Sequence, residues 1–380
     1  MLCAQYFGKG EFEPIRIIQG FALRISLISS ILFALAALLM PETMMLVFTK
    51  DPELIQLGAV YLRYMSVTYL CWSILEIYLS VLRSIGEVKV SMSLNILAFV
   101  LNIILNAVFI FGLFGAPKMG VAGVAWATFL CQGISCVLAV MTVWMRLCKI
   151  KTKGKTKLFD TQLLKKFATI AIPSTLQQSF ISIGNIIIQG VINGFGTDVM
   201  AGYSAAVKLN NLVITSFTTL GNGISNFAAQ NIGAGKWDRV KAGFSAGLKL
   251  VWSLCVPLTA LLFLWGRGLM GFFLDEPTEL ALDTGVIFLQ ILSPFYFVAS
   301  AKLVADGILR GAGLMKQFMT ATFTDLILRV VLAYILSATA LGATGIWCAW
   351  PIGWICGALL SICFYRKFEN TCCKKTESAV

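Results

Sequence analysis

The sequence predicts an all-α integral membrane protein made of two parallel-repeat helical lobes, and three observations predict it. The 380 residues are 58% apolar and only 13% charged, with a mean hydropathy of +0.85; soluble domains run to about 45–50% and about 25%. Apolar runs long enough to span a bilayer occur ten times. A series of short motifs then returns, in the same order, about 225 residues further along the chain.

A globule of this size cannot bury so much apolar surface, so lipid is the implied solvent. A hydrocarbon core of about 30 Å takes about 20 helical residues. Runs of that length lie at Ile18–Phe48, Leu54–Leu82, Val88–Leu113, Gly120–Met145 and Leu163–Phe195. Five more follow at Met200–Ile232, Val240–Phe273, Leu280–Leu309, Phe318–Leu341 and Gly345–Tyr365. Turn signals separate them, among them Pro41, Lys50-Asp51-Pro52, Gly194-Phe195-Gly196 and Glu276-Pro277. One connection is long and polar, Arg146 to Lys157. The expected organisation is a four-span first lobe over 1–145, a basic linker over 146–162, a six-span second lobe over 163–368 and a tail over 369–380.

The net charge of +12 is first a statement about topology. Of the 30 basic residues, 21 fall in one set of alternate loops, the linker and the two chain ends. The opposite loops hold three, Lys50, Lys118 and Arg267. By the positive-inside rule both chain ends and the linker are cytoplasmic. The charge is thereby accounted for without nucleic acid, although the basic loops suit anionic lipid.

Histidine is absent, which removes the commonest general base and metal ligand. The 11 cysteines include no CxxC pair and read as small apolar residues within helices. No Ser/His or Cys/His arrangement and no phosphate-cradling glycine loop is present, so no catalytic or metal residues are assigned and no enzyme is expected.

The repeat can be followed residue by residue. Ala4-Gln5-Tyr6-Phe7-Gly8-Lys9-Gly10 returns as Ala229-Gln230-Asn231-Ile232-Gly233-Ala234-Gly235, and Asp51-Pro52 as Glu276-Pro277. Leu82-Arg83-Ser84-Ile85-Gly86 returns as Leu309-Arg310-Gly311-Ala312-Gly313, and Met119-Gly120 with Gly123 as Leu341-Gly342 with Gly345. An even number of spans fits the period, so the copies are parallel, an arrangement found in secondary transporters. The second copy starts near Phe167, about 60 residues ahead of Ala229, whereas three residues precede Ala4. The expectation is therefore about ten spans of twelve, lacking the first two helices of the first lobe.

The Gln-x-x-Gly-x-Gly turns, the Leu-Arg-x-x-Gly turns, the Met119-Gly-Val-Ala-Gly-Val-Ala125 segment and Ile172-Pro173-x-x-Leu176-Gln177-Gln178 resemble the multidrug and toxic compound extrusion (MATE) family from Ala4 to about Phe368. The resemblance implies two six-helix lobes and a central cavity that opens alternately to the two sides. It also implies export of small organic, often cationic, compounds against Na⁺ or H⁺ entry, with no cofactor beyond that coupling ion. The partners expected are the organic substrate, the coupling cation and the bilayer of the cell membrane, with the protein working as a monomer. The acidic residues that many members carry in the seventh and tenth helices are not matched here, where Ile181 and Ala299 stand.

Uncharged polar side chains mark the candidate pathway. Gln178, Ser182, Asn185 and Gln189 share one helical face at spacings of 4, 3 and 4. Asn211, Thr215, Thr218, Asn222 and Ser225 do the same on the next helix. Such stripes either line a wettable cavity or hydrogen-bond to one another as lobe glue. Asp325 and Arg329, four apart within a span, are candidate ion-coupling residues whose side chains can meet. Their first-lobe counterparts are Asn102 and Asn106. Glu76 and Lys302, near equivalent repeat positions, are gate candidates, with Asp306 a local alternative partner for Lys302. Lys208 is expected to snorkel or to pair with Asp198 rather than bind substrate. Pro173, Pro257, Pro294 and Pro351 are candidate bends.

Two other functions stand beside export. A flippase for lipid-linked oligosaccharides needs a strongly basic cavity for pyrophosphate, whereas the stripes are amides and hydroxyls. A truncated, inactive paralogue is the third reading, and it rests on the short first lobe.

Overall fold

The computed structural model describes residues 1–46, 49–148, 160–274 and 278–377. Among them all long regular structure is helical. The chain runs through α1 (Leu2–Lys9), α2 (Glu13–Leu39), α3 (Pro41–Leu46), α4 (Pro52–Ser84), α5 (Val88–Phe111), α6 (Val121–Cys148) and α7 (Thr161–Asn193). It continues with α8 (Thr197–Gly233), α9 (Trp237–Phe273), α10 (Glu279–Leu292), α11 (Tyr296–Gly311), α12 (Met315–Ser337) and α13 (Ala343–Glu377).

Among the described residues eight spans, with α10 and α11 counted as one, are long and apolar enough to cross a membrane. Helices α7 and α8, at 33 and 37 residues, have the length but fall short of that apolarity. They are the two that carry the polar stripes. The protein is thus a multi-pass membrane protein of the expected all-helical class.

The chain divides into two compact units, Gly10–Leu164 and Met1–Lys9 with Lys165–Val380. This departs from the expected first lobe at its start, because α1 packs in the second unit. The physical reason is a helix crossing of unusual closeness. A Cβ on Gly8 would collide with the carbonyl oxygen of Gln230 near the end of α8. Gln5 adds a hydrogen bond from Nε2 to the Gly311 carbonyl, 2.7 Å. The linker from Lys149 to Lys157 lies outside the described residues.

In the first unit α4 lies against both α2 and α6, and α5 packs on α6. The span expected over Ile18–Phe48 breaks at Pro41, where α3 begins. Asp51 caps α4 by accepting from Glu53 N at 2.9 Å. Its repeat counterpart Glu276-Pro277 lies outside the described residues, and Thr278 caps α10 instead by accepting from Ala281 N at 3.2 Å.

The second unit is organised around α8 and α11. Gly221 on α8 meets the Leu303 carbonyl, and Gly307 and Gly311 on α11 meet the carbonyls of Gly221 and Ser225. Small residues let the two backbones approach closely. An aromatic core fills the space beside them: Tyr203 stacks on Trp347 at 5.0 Å, and Phe288 meets both edge-on. Tyr296 is fully buried and donates its hydroxyl proton to Asn210 Oδ1 at 3.0 Å. Pro294 does break its span, separating α10 from α11 by a single 3-10 turn, whereas Pro173 and Pro351 lie inside their helices and α9, which holds Pro257, is kinked two turns later at Trp265.

The expected tail is helix as far as Glu377, because nothing in Arg366-Lys-Phe-Glu-Asn-Thr-Cys breaks it. Tyr365 stacks on Phe244 at 4.1 Å, Phe368 meets Trp237 edge-on, and Glu369 pairs with Lys241 at 3.0 Å.

The duplication is visible in backbone conformation. Gly10 and Gly235 have φ of 76° and 70°, Gly86 and Gly313 of 85° and 77°, and Gly120 and Gly342 of 54° and 52°. The hydrogen bond from Glu87 N to Leu82 O is matched by that from Leu314 N to Leu309 O. Each pair ends or begins a helix in the left-handed region, where only glycine is free of strain.

Candidate functional site

Two groups of polar residues stand out, one exposed and one buried. On α7, Gln178, Ser182 and Asn185 are exposed and Gln189 is half-buried. On α8, Asn211, Thr215 and Asn222 are exposed and Thr218 is half-buried. The opposite face of α8 supplies the core through Leu209, Val213 and Phe217. Ser225 leaves the stripe, because α11 closes over α8 at Gly311 and buries it.

The stripes bond mostly to their own helices. Ser182 Oγ donates to Gln178 O, Thr218 Oγ1 to Ile214 O, and Gln189 Nε2 to Asn193 Oδ1 at 3.0 Å. Among the described residues no hydrogen bond joins one stripe to the other. Lys208 is exposed on the same side of α8, and Asp198 accepts a hydrogen bond from Thr278 Oγ1 at 3.1 Å rather than pairing with it.

The buried group corrects one expectation. Asp325 and Arg329 do not pair, although they lie one turn apart on α12. Asp325 Oδ2 is 3.5 Å from the ammonium of Lys302 on α11, and that ammonium is also 3.0 Å from Asp306 Oδ2. Ser361 on α13 donates to Asp306 Oδ1 at 2.6 Å. The Arg329 guanidinium lies over the Trp350 ring, 4.4 Å from its centroid. Lys302, Asp306, Asp325 and Arg329 are 6%, 2%, 7% and 8% exposed.

The cause lies on α13. A Cβ on Gly357 would stand 2.6 Å from Lys302 Cε, and one on Gly353 would stand 2.6 Å from Asp325 Oδ1. These two glycines leave a trough into which Lys302 reaches to meet Asp325. A four-residue spacing of small residues, Gly353-Trp-Ile-Cys-Gly357 followed by Ser361, is the sequence signal for such a trough, and sequence reasoning missed it. The first lobe differs at the equivalent positions. Asn106 Nδ2 donates to Asn102 Oδ1 at 3.0 Å, and Cys131 Sγ donates to the Ala98 carbonyl.

The gate candidates each have partners within their own unit. Glu76 lies 3.5 Å from Arg83 on α4, half exposed, while Lys302 is committed to its two aspartates.

Comparison with known proteins agrees with this architecture. The family model MatE matches residues 1–108 and 173–335, well over half of the chain. The chain belongs to the MATE family. Its curated MATE relatives include the probable multidrug resistance protein YoeA of Bacillus subtilis (strain 168), 24% identical over 372 residues, covering 96% of this chain and 80% of YoeA. The probable multidrug resistance protein YpnP of the same organism is 27% identical over 339 residues, covering 89% and 74%. Among solved structures, a MATE crystal structure in complex with MaL6 superposes with a TM-score of 0.87 at 19% identity, covering 98% of this chain and 83% of that one. A MOP-superfamily transporter from Pyrococcus furiosus, described as having a binding pocket of reversed polarity, matches with a TM-score of 0.87 at 20% identity and similar coverage. The family is one of membrane transporters of small compounds.

Proposed function

We propose that this MATE protein exports small organic, often cationic, compounds across the cell membrane by alternating access, coupled to entry of Na⁺ or H⁺. The observation that carries the reading is the exposed polar face of α7 and α8, whose amides and hydroxyls are not consumed by packing within the unit. Polar groups set against acyl chains are costly, so such a face belongs on a wetted pathway. Among the described residues of α7 and α8, Lys208 is the basic residue beside the stripes, whereas a pyrophosphate-linked lipid calls for a basic cluster. The names of YoeA and YpnP support drug-like substrates. The asymmetry of basic residues supports cytoplasmic chain ends, and the monomer is the working unit in this reading.

Expression in a bacterial host stripped of its own efflux pumps tests it. Raised inhibitory concentrations for organic cations are expected, collapsing with Gln178→Leu and Asn185→Leu at unchanged protein level. Intact resistance in both variants overturns the pathway assignment. Comparing efflux in Na⁺ with that in choline medium, with and without a protonophore, identifies the coupling ion.

A further inference from the structure

Lys302 occupies the position between Asp306 and Asp325 that a bound monovalent cation would take. Its ammonium is within 3.5 Å of one carboxylate oxygen from each, on two different helices. Two hydroxyls lie close to the aspartates in sequence or by hydrogen bond. Ser361 holds Asp306, and Thr322, one turn before Asp325, has a buried Oγ1 without a partner. Asp325 is itself only partly satisfied, because its Oδ1 is buried, unpartnered and turned toward the trough at Gly353. Arg329 is held over Trp350 and Arg310 over Phe318, and neither has an ion pair with these carboxylates among the described residues. Two carboxylates facing one position form a hard oxygen set of the kind suited to alkali and alkaline-earth ions rather than transition metals. Intramembrane carboxylates are retained where they meet a counter-charge.

We propose that Lys302 is a tethered cation that fills a monovalent-cation seat in this unit, so that the seat takes Na⁺ only when the lysine charge is removed. The seat follows from the structure within one unit. Its relevance to transport rests on the export reading above.

The test is binding to the purified full chain in detergent, read as thermal stability in NaCl against choline chloride at equal ionic strength. The wild type is expected to show no Na⁺-specific rise that Asp325→Asn removes, so any rise from an ion bound elsewhere persists in that variant. Lys302→Met and the more polar Lys302→Gln should each gain a Na⁺-specific rise of about 2–4 °C, and adding Asp325→Asn should abolish it. A Na⁺-specific rise in the wild type that Asp325→Asn removes would overturn the proposal, because the lysine would then not exclude the ion. So would folded variants with no Na⁺-specific rise. Failure of both variants to fold in either salt also overturns it, since a seat open to Na⁺ would refill. The readout requires no transport, so its failure leaves the exporter reading intact.

Discussion

Gly8 on α1 and Gly233 on α8 are repeat equivalents that pack reciprocally: a Cβ on Gly8 would strike the Gln230 carbonyl, and one on Gly233 would strike the Gln5 carbonyl. Gln5 and Gln230 are themselves equivalent. The two copies of one motif thus cross about a local two-fold, each glycine seating the other copy's backbone. Duplication supplied both halves of a self-complementary contact.

This crossing tolerates no side chain on either glycine. Gly8→Ala and Gly233→Ala should each destabilise the protein by about 1–3 kcal/mol, because a backbone carbonyl, unlike a flexible side chain, cannot swing aside. The double variant should cost less than the sum, since the first separation already relieves the second clash. Melting of the purified variants in detergent checks both expectations; strict additivity would show that the crossing is not a single contact.

The two aspartates around Lys302 should differ in weight. Asp306 holds the shorter ion pair and the Ser361 hydroxyl, at 3.0 and 2.6 Å, whereas Asp325 holds only a 3.5 Å pair. Removing one partner of a buried pair costs about 3–5 kcal/mol. Asp306→Asn should approach that range, and Asp325→Asn should fall below it. Equal or inverted losses would mean that distance and the serine bond do not set the ranking.

Gly357→Ala should disturb the same network from the outside. The new methyl meets Lys302 Cε and lies 3.0 Å from Asp325 Cβ, so the lysine must retreat from one aspartate. A loss of about 1–3 kcal/mol is expected. Lys302→Ala, which removes the colliding Cδ and Cε, should make the added methyl less costly. A Gly357→Ala protein as stable as the parent would show that the trough has slack.

Asn222 and Ser225 lie three residues apart on α8 and should separate transport from stability. Asn222 is exposed on the stripe, while Ser225 is 3% exposed at the α8–α11 seam. Asn222→Leu should lower apparent substrate affinity by about three- to tenfold, the worth of one hydrogen bond, with little change in melting. Ser225→Leu should do the reverse, lowering the melting temperature by overpacking the seam. Drug accumulation assays and melting curves on the same preparations would expose any exchange of these roles.

Much of this molecule was legible from its residues alone. Hydropathy located eight of the spans among the described residues, because a hydrocarbon core demands long apolar helices whatever their partners. The repeat was legible because turn glycines are dictated by local backbone geometry, so Gly86 and Gly313 recur in sequence and in φ alike. The stripes on α7 and α8 followed from helical periodicity.

Partner choice was decided only by tertiary packing. Spacing along α12 offers Asp325 and Arg329 to each other with the same geometry as any i, i+4 pair. Which cation Asp325 takes depends on Gly353 and Gly357 of a different helix opening a trough for Lys302, and on Trp350 receiving Arg329. In the same way α1, first-lobe by its motif, joins the second unit because two glycines let its backbone touch α8. Periodicity governs what a helix presents, but long-range contact, which no local pattern encodes, determines what meets it.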